Sequence, residues 1–142
     1  MLLSLISPQK NVALFATEFK KNISWISKYV DSVELIVVED NSTDSSWVTL
    51  NELFQGFENV RIVRNKGLGK IEALNFGFSL CNGEYVRFVD GDDFILEDSL
   101  TTVETIKQLD GDALSSSFKI KIDNQFHPVV SKFFRMDVFD KE

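Results

Sequence analysis

A single cysteine, Cys81, excludes an intramolecular disulfide, so the fold must rest on its core alone. An unpaired thiol suits a reducing compartment, which makes the cytoplasm the expected location. No apolar stretch approaches the roughly 20 residues needed to cross a bilayer. The opening Met1-Leu2-Leu3-Ser4-Leu5-Ile6-Ser7-Pro8 lacks the basic start and long apolar run of a secretory signal and reads as a first strand. Peripheral association with the inner face of a membrane stays open. Basic charge is also scarce: a formal net charge of -7 and a pI near 4.7 argue against a nucleic-acid-binding surface, which carries a basic stripe. Small anionic ligands survive that test, because acids gathered at strand ends recruit a divalent cation and the cation recruits phosphate. Repeats, low-complexity segments and linkers are missing too. The 142 residues fit one domain, large enough to bury roughly 70% of its unfolded surface.

What is present is an alternation of apolar runs with helix-period segments, the pattern of a parallel sheet buried on both faces. Strands are expected at Leu2 to Ser7, Val33 to Glu39, Val60 to Arg64 and Tyr85 to Val89. Helices are expected at about Ala13 to Val30, Asp44 to Phe57, Lys70 to Cys81 and Asp98 to Leu109. Ser42 or Thr43 is placed to cap the second helix, and Asn82-Gly83 to close the third with a left-handed glycine. After Gly111 the pattern shifts to short alternating pieces, Ala113 to Ile122 and Phe126 to Val130, which read as antiparallel or peripheral.

In an open α/β sheet, ligands bind beyond the carboxyl ends of the strands. Here the first strand ends in Ser7-Pro8-Gln9-Lys10-Asn11, the second in Glu39-Asp40-Asn41-Ser42-Thr43-Asp44 and the fourth in Asp90-Gly91-Asp92-Asp93. Turns favour such residues for their own backbone bonding. Three clustered carboxylates, however, repel one another unless a cation or proton compensates them, and hard oxygens at that density suit magnesium or manganese. His127, the lone histidine, reads as an exposed loop residue rather than a ligand. Trp25, Trp47 and most phenylalanines fall in helical segments and read as core.

Taken together these motifs resemble family 2 glycosyltransferases of the GT-A fold, whose members read Pro-x-x-Asn after one strand, Asp-Asp-x-Ser-Thr-Asp after the next, and Gly-Glu-Tyr, a strand and Asp-x-Asp-Asp later. This chain has Pro8 to Asn11, Glu39 to Asp44 and Gly83-Glu84-Tyr85 through Asp90-Gly91-Asp92-Asp93. Between them, Asn65-Lys66-Gly67-Leu68-Gly69-Lys70 and Ala73-Leu74-Asn75-Phe76-Gly77 resemble the family's glycine-rich segment and Ala-x-Asn-x-Gly helix. Order and spacing match through roughly residue 98.

The resemblance implies a three-layer α/β/α, Rossmann-like domain with a mostly parallel sheet over residues 1–142. Residues 1–110 would form the donor-binding part and 111–142 the start of an acceptor-side part that is otherwise missing. It implies a nucleoside-diphosphate sugar as ligand, a UDP-sugar favoured, bound by Pro8, Asn11, Asp40, Lys70, Asp90 and Asp92. Asp40 would accept a hydrogen bond from the base, and Pro8 would line the base pocket. Asp92 and Asp93 would hold Mn2+ or Mg2+, while Lys70 or Lys66 would reach the diphosphate. Lys10 departs from the aromatic residue many relatives place there, and Glu39 from the first Asp of the pair. Implied too is metal-dependent, inverting transfer to a glycan or lipid-linked acceptor, in bacterial surface polysaccharide or lipopolysaccharide synthesis. The catalytic base is not assigned: relatives carry it beyond a segment like Phe134 to Phe139, and Asp137, Asp140 and Glu142 are poor substitutes. The alternative is a donor-binding module without transfer activity of its own. A phosphoacceptor receiver module fits less well, since its acidic pair follows the first strand and no Lys-Pro occurs here.

Overall fold

The apolar runs form strands where expected, because continuous Val/Ile/Leu stretches satisfy burial on both faces. In the computed structural model, which describes residues 1–90 in full and the backbone of two further strands, β1 is Leu3–Gln9, β2 Val33–Glu39, β3 Val60–Arg64 and β4 Tyr85–Phe88. The two later strands are β5, Ala113–Ile122, and β6, Gln125–Arg135. The expected helix at 98–109 lies outside the described residues. Among those described, the strands form one sheet in the order β3-β2-β1-β4-β6-β5. Pairing is parallel from β3 to β4, with Gln9 opposite Glu39 and Ile6 opposite Phe88. β6 pairs antiparallel with both β4 and β5.

Alternate residues of the four parallel strands feed two cores. Leu3, Leu5, Val33, Leu35, Val37, Tyr85 and Val89 pack with α1 (Ala16–Ile23), a following 3-10 turn (Ser24–Lys28) and α2 (Ser46–Leu53). On the other face, Ile6, Ile36, Val38 and Val86 pack with Ala73 and Cys81, at the start and end of α3 (Lys70–Leu80). These are the three α/β/α layers expected. Gly77 brings α3 close to β1: a Cβ there would lie 2.5 Å from the Ile6 Cγ2, so the helix could not sit at this depth with any other residue.

Three local expectations are corrected. The first helix is shorter than Ala13 to Val30. It starts at Ala16, after a turn in which the Phe15 N–H donates to the Val12 carbonyl at 2.8 Å and the N–H groups of Val12 and Ala13 donate to Ser46 Oγ at 2.8 Å and Asp44 Oδ2 at 3.3 Å. It tightens after Ile23, where the Ser24 hydroxyl donates to the Lys20 carbonyl and the Ser27 hydroxyl to the Ser24 carbonyl. The second helix is capped by neither Ser42 nor Thr43. Asp44 does that work, its Oδ1 accepting from the Ser46 N–H at 2.9 Å, and Gly56, at φ 88°, marks the turn beyond its end. Gly83 is not left-handed: the positive-φ glycines among the described residues are Gly56 and Gly69. What requires glycine at 83 is space, since a Cβ would lie 2.6 Å from Ser4 Oγ and 2.7 Å from the Ser4 nitrogen.

That contact belongs to a buried polar knot at the amino ends of the strands. Glu34, 5% exposed, accepts from the Ser4 hydroxyl and from the Asn82 N–H, both at 2.6 Å, and Ser4 Oγ in turn accepts from the Gly83 N–H at 2.8 Å. Removing the carboxylate leaves a buried hydroxyl and an N–H without their acceptor. Glu34→Ala is therefore expected to cost about 1.5–3 kcal/mol of stability, read from urea unfolding midpoints. An unchanged midpoint would show that the knot contributes nothing.

Candidate functional site

Strand order reverses between β1 and β4, and the crevice outside the carboxyl ends at such a point is where an open α/β sheet takes ligand. A cleft of ≈ 690 Å³ opens there, bringing together Pro8, Asn11, Asp40, Lys70 and Asp90, five residues singled out in the sequence. Asp92 and Asp93 lie outside the described residues, as do Asp137, Asp140, Glu142 and the side chain of His127. Among the described residues no three acids, histidines or cysteines cluster as a metal site would.

Asp40 sits at the centre, 6% exposed. Its N–H donates to the Gln9 carbonyl at 2.8 Å, which extends the β1–β2 pairing one residue past β2. Its carboxylate reaches the other way: Oδ1 accepts from Asn65 Nδ2 at 2.9 Å and from the Gly69 N–H at 3.2 Å. Gly69, at φ 92°, turns the chain into α3 so that Lys70 opens the helix at the cleft. Both bonds fall on Oδ1, so Oδ2 keeps its acceptor capacity.

The Ser-Thr-Asp run after Asp40 faces the neighbouring loop. Asn11, itself at φ 53°, donates its N–H to Ser42 Oγ at 2.8 Å and accepts from the Thr43 N–H at 2.9 Å through Oδ1. Asn41, also at φ 53°, donates to the Gly67 carbonyl at 3.0 Å. Glu39, 1% exposed, accepts from the Ser42 N–H at 2.6 Å, and its other oxygen is 4.0 Å from Arg64 Nε. The substitution of Glu for the first acid of the motif therefore serves the loop.

Of the two candidate lysines, Lys70 lines the cleft, with Nζ 2.9 Å from Asp90 Oδ1, and Lys66 lies over the Phe76 ring at 5.1 Å. Sequence reasoning missed Phe15 and Gln9. Phe15 precedes the first turn of α1, is 63% exposed and lines the cleft, an exception to the expectation that most phenylalanines are core. Gln9, 3% exposed, donates from Nε2 to Ser7 Oγ at 3.0 Å, while its Oε1 is buried without a partner. Its place inside Pro-x-x-Asn was the available signal. Trp25 packs on the core as expected, whereas Trp47 carries the Arg64 guanidinium 4.4 Å above its ring.

The model of glycosyl transferase family 2 matches residues 17–140. The chain belongs to that family. Glycosyltransferase GlyG of Streptococcus pneumoniae is 29% identical over 120 residues, 82% of this chain and 39% of GlyG. The minor teichoic acid biosynthesis protein GgaB of Bacillus subtilis is 32% identical over 101 residues, 70% of this chain and 11% of GgaB. Among solved structures, S. aureus TarS 1-349 in complex with UDP-GlcNAc superposes with a TM-score of 0.72 at 21% identity, covering 97% of this chain and 46% of that one. The mannosyltransferase PcManGT of Pyrobaculum calidifontis, in complex with GDP-Man and Mn2+, superposes at 0.70 and 23% identity, covering 94% and 44%. These likenesses establish the GT-A fold. The chain spans less than half the length of each of these four proteins.

In this family 2 chain Asp44 is the clamp between the first two loops. The Ser46 hydroxyl, then the N–H groups of Ser46 and Ala13, hold its carboxyl below the ordinary value of 3.8, with desolvation opposing them. A lowered folded-state pKa means the contribution is fully present above 3.8 and is lost as pH falls through the lowered value. Asp44→Asn is expected to be less stable than wild type at neutral pH, with the gap closing below the ordinary carboxylate range. Urea unfolding of both proteins along a pH series measures the gap, and a gap that stays constant down to strong acid would contradict this role.

Proposed function

We propose that the cleft binds the nucleoside diphosphate of a sugar donor, and that the protein transfers the sugar, with inversion, to a glycan or lipid-linked acceptor in bacterial surface polysaccharide synthesis. The observation that carries the reading is Asp40: a buried carboxylate, fixed through one oxygen by Asn65 and Gly69, at the carboxyl end of β2 and on the wall of the cleft. A carboxylate so held accepts a hydrogen bond from a base N–H without reorganising, and a uracil N3–H is the fitting donor. Family membership and the teichoic acid relative support the pathway; the likeness to structures holding UDP-GlcNAc and GDP-Man supports the donor class.

In this reading Pro8 lines the base pocket, and Asn11 holds the loop against Ser42 and Thr43. Lys70 balances the charge that builds on the leaving diphosphate. Asp90 already draws an ammonium to 2.9 Å, so a hard cation fits beside it; Asp90, Asp92 and Asp93 would hold Mn2+ or Mg2+. Such an ion, when bound, neutralises the diphosphate as a leaving group. We place the reaction on the cytoplasmic side, with peripheral membrane contact through the acceptor.

Uridine, guanosine and thymidine diphosphates, titrated by calorimetry with Mn2+ and with chelator, test the reading. UDP should bind, and only with metal. Asp40→Asn keeps an oxygen for Asn65 and Gly69 but loses the charge, and should weaken UDP by roughly ten- to a hundredfold, as expected for a charge-assisted hydrogen bond. Equal affinity in the variant would remove Asp40 from the base pocket, and equal binding in chelator would remove the metal.

A further inference from the structure

The cleft wall carries two carboxylates, Asp40 and Asp90, and two ammonium groups, Lys10 and Lys70. One of each is already paired. Lys70 Nζ stands 2.9 Å from Asp90 Oδ1, with the two side chains 62% and 52% exposed. The backbones that carry them are fixed: Val89 donates its N–H to the Ile6 carbonyl at 2.8 Å beside Asp90, and α3 is held at its first turn by Gly69 donating to Asp40 at 3.2 Å. Any exchange of partners therefore falls to the long lysine side chain.

We infer that Lys70 is an exchangeable counter-ion, competing with a divalent cation for Asp90 and turning to the diphosphate when it yields that carboxylate. The inference rests on the nucleotide reading above and goes beyond it by coupling the two ligands. A half-exposed ion pair is weak enough to open at little cost. One ammonium cannot serve Asp90 and a phosphate fully at once. A cation on Asp90 thus frees Lys70 for the nucleotide, and a nucleotide that draws Lys70 away frees Asp90 for the cation. Linkage makes the two effects equal. An acidic chain with a formal net charge of -7 thereby admits a phosphate at a lysine that Asp90 compensates until the ligands arrive.

The test is calorimetry of Mn2+ alone on wild type, Lys70→Met and Lys70→Arg, followed by UDP titrations at saturating Mn2+. Lys70→Met should bind Mn2+ about two- to fivefold more tightly, the scale of one exposed ion pair. It should bind UDP about tenfold more weakly, the scale of a lost charge-assisted hydrogen bond. Lys70→Arg, which keeps the charge, should stay close to wild type for Mn2+. If wild type binds both Mn2+ and UDP but Lys70→Met binds Mn2+ no more tightly, the exchange is overturned and the nucleotide reading stands. Tighter Mn2+ with undiminished UDP also overturns it, because Lys70 then never reaches the phosphate. A wild type that binds neither ligand overturns both proposals.

Discussion

The hydrogen bond from the Asp40 N–H to the Gln9 carbonyl carries parallel pairing past the end of β2, and the cleft depends on that extra step. A strand normally gives way to turn geometry at its carboxyl end, and the loops then diverge. Here β1 and β2 stay in register to the point where Asp40 can turn its carboxylate toward Asn65 and Gly69 while its backbone still belongs to the sheet. One residue thus joins the ends of β1 and β2 to the start of α3. The second set of bonds, from Asn11 and Val12 to Ser42, Thr43 and Ser46, locks the outer parts of the same loops. Asn11 and Asn41 both take the left-handed conformation, which asparagine tolerates better than most side chains, and their bonds to Ser42, Thr43 and Gly67 hold them in it.

The opposite end of the sheet solves a different problem with similar means. Glu34, Ser4, Asn82 and Gly83 close the amino ends of β1, β2 and β4 with bonds among themselves. Asn59 does the same for the start of β2, donating to the Ile26 and Val33 carbonyls at 2.8 and 2.9 Å. At this closed end the Glu34 carboxylate, the Ser4 hydroxyl and the Asn59 amide group are spent on the fold, while Asn59 Oδ1 is buried without a partner. At the cleft end several are left with capacity to spare, including Asp40 Oδ2 and the buried Gln9 Oε1. The difference between the two ends lies in their carboxylates: both oxygens of Glu34 accept bonds, whereas both bonds to Asp40 fall on one oxygen.

Much of this was legible in the sequence. The central strands β1 and β2 could be read because burial on both faces favours continuous apolar runs, and the edge strand β3 from its β-branched Val60, Ile62 and Val63; the match of Val33–Glu39 and Val60–Arg64 to expectation is complete. Five of the six residues expected to hold the donor share one cleft because parallel strands deliver their carboxyl ends to a single rim. Helix ends were less legible. Ser24 reads as an ordinary helical residue until its hydroxyl is seen bonding back to Lys20, and Val12 and Ala13 lie in a turn before α1 with their N–H groups bonded to Ser46 and Asp44. Gly83 shows the same limit: a glycine after a helix suggests a left-handed turn, whereas the contact that requires it comes from Ser4, 79 positions away. Nor does periodicity reveal partners. The run expected over Phe126 to Val130 belongs to a longer strand that joins the main sheet, with Arg135 opposite Tyr85 and Phe134 opposite Val86.

The serine, threonine and aspartate of the family motif show why a motif says less about roles than about places. Ser42, Thr43 and Asp44 each bond to the Pro-x-x-Asn loop or to the start of α2, so their side chains hold Asn11 and Ala13 in position. Glu39 is occupied by the Ser42 N–H. Of the whole run from Glu39 to Asp44, Asp40 is the residue that both lines the cleft and retains an acceptor. The run works as a unit in this chain because the Asp40 carboxylate can hold its place on the cleft wall only while the loop beneath it is rigid. The longer Glu39 side chain does not disturb the site for the same reason: its task is to reach the backbone of Ser42, and a carboxylate one methylene longer still does so.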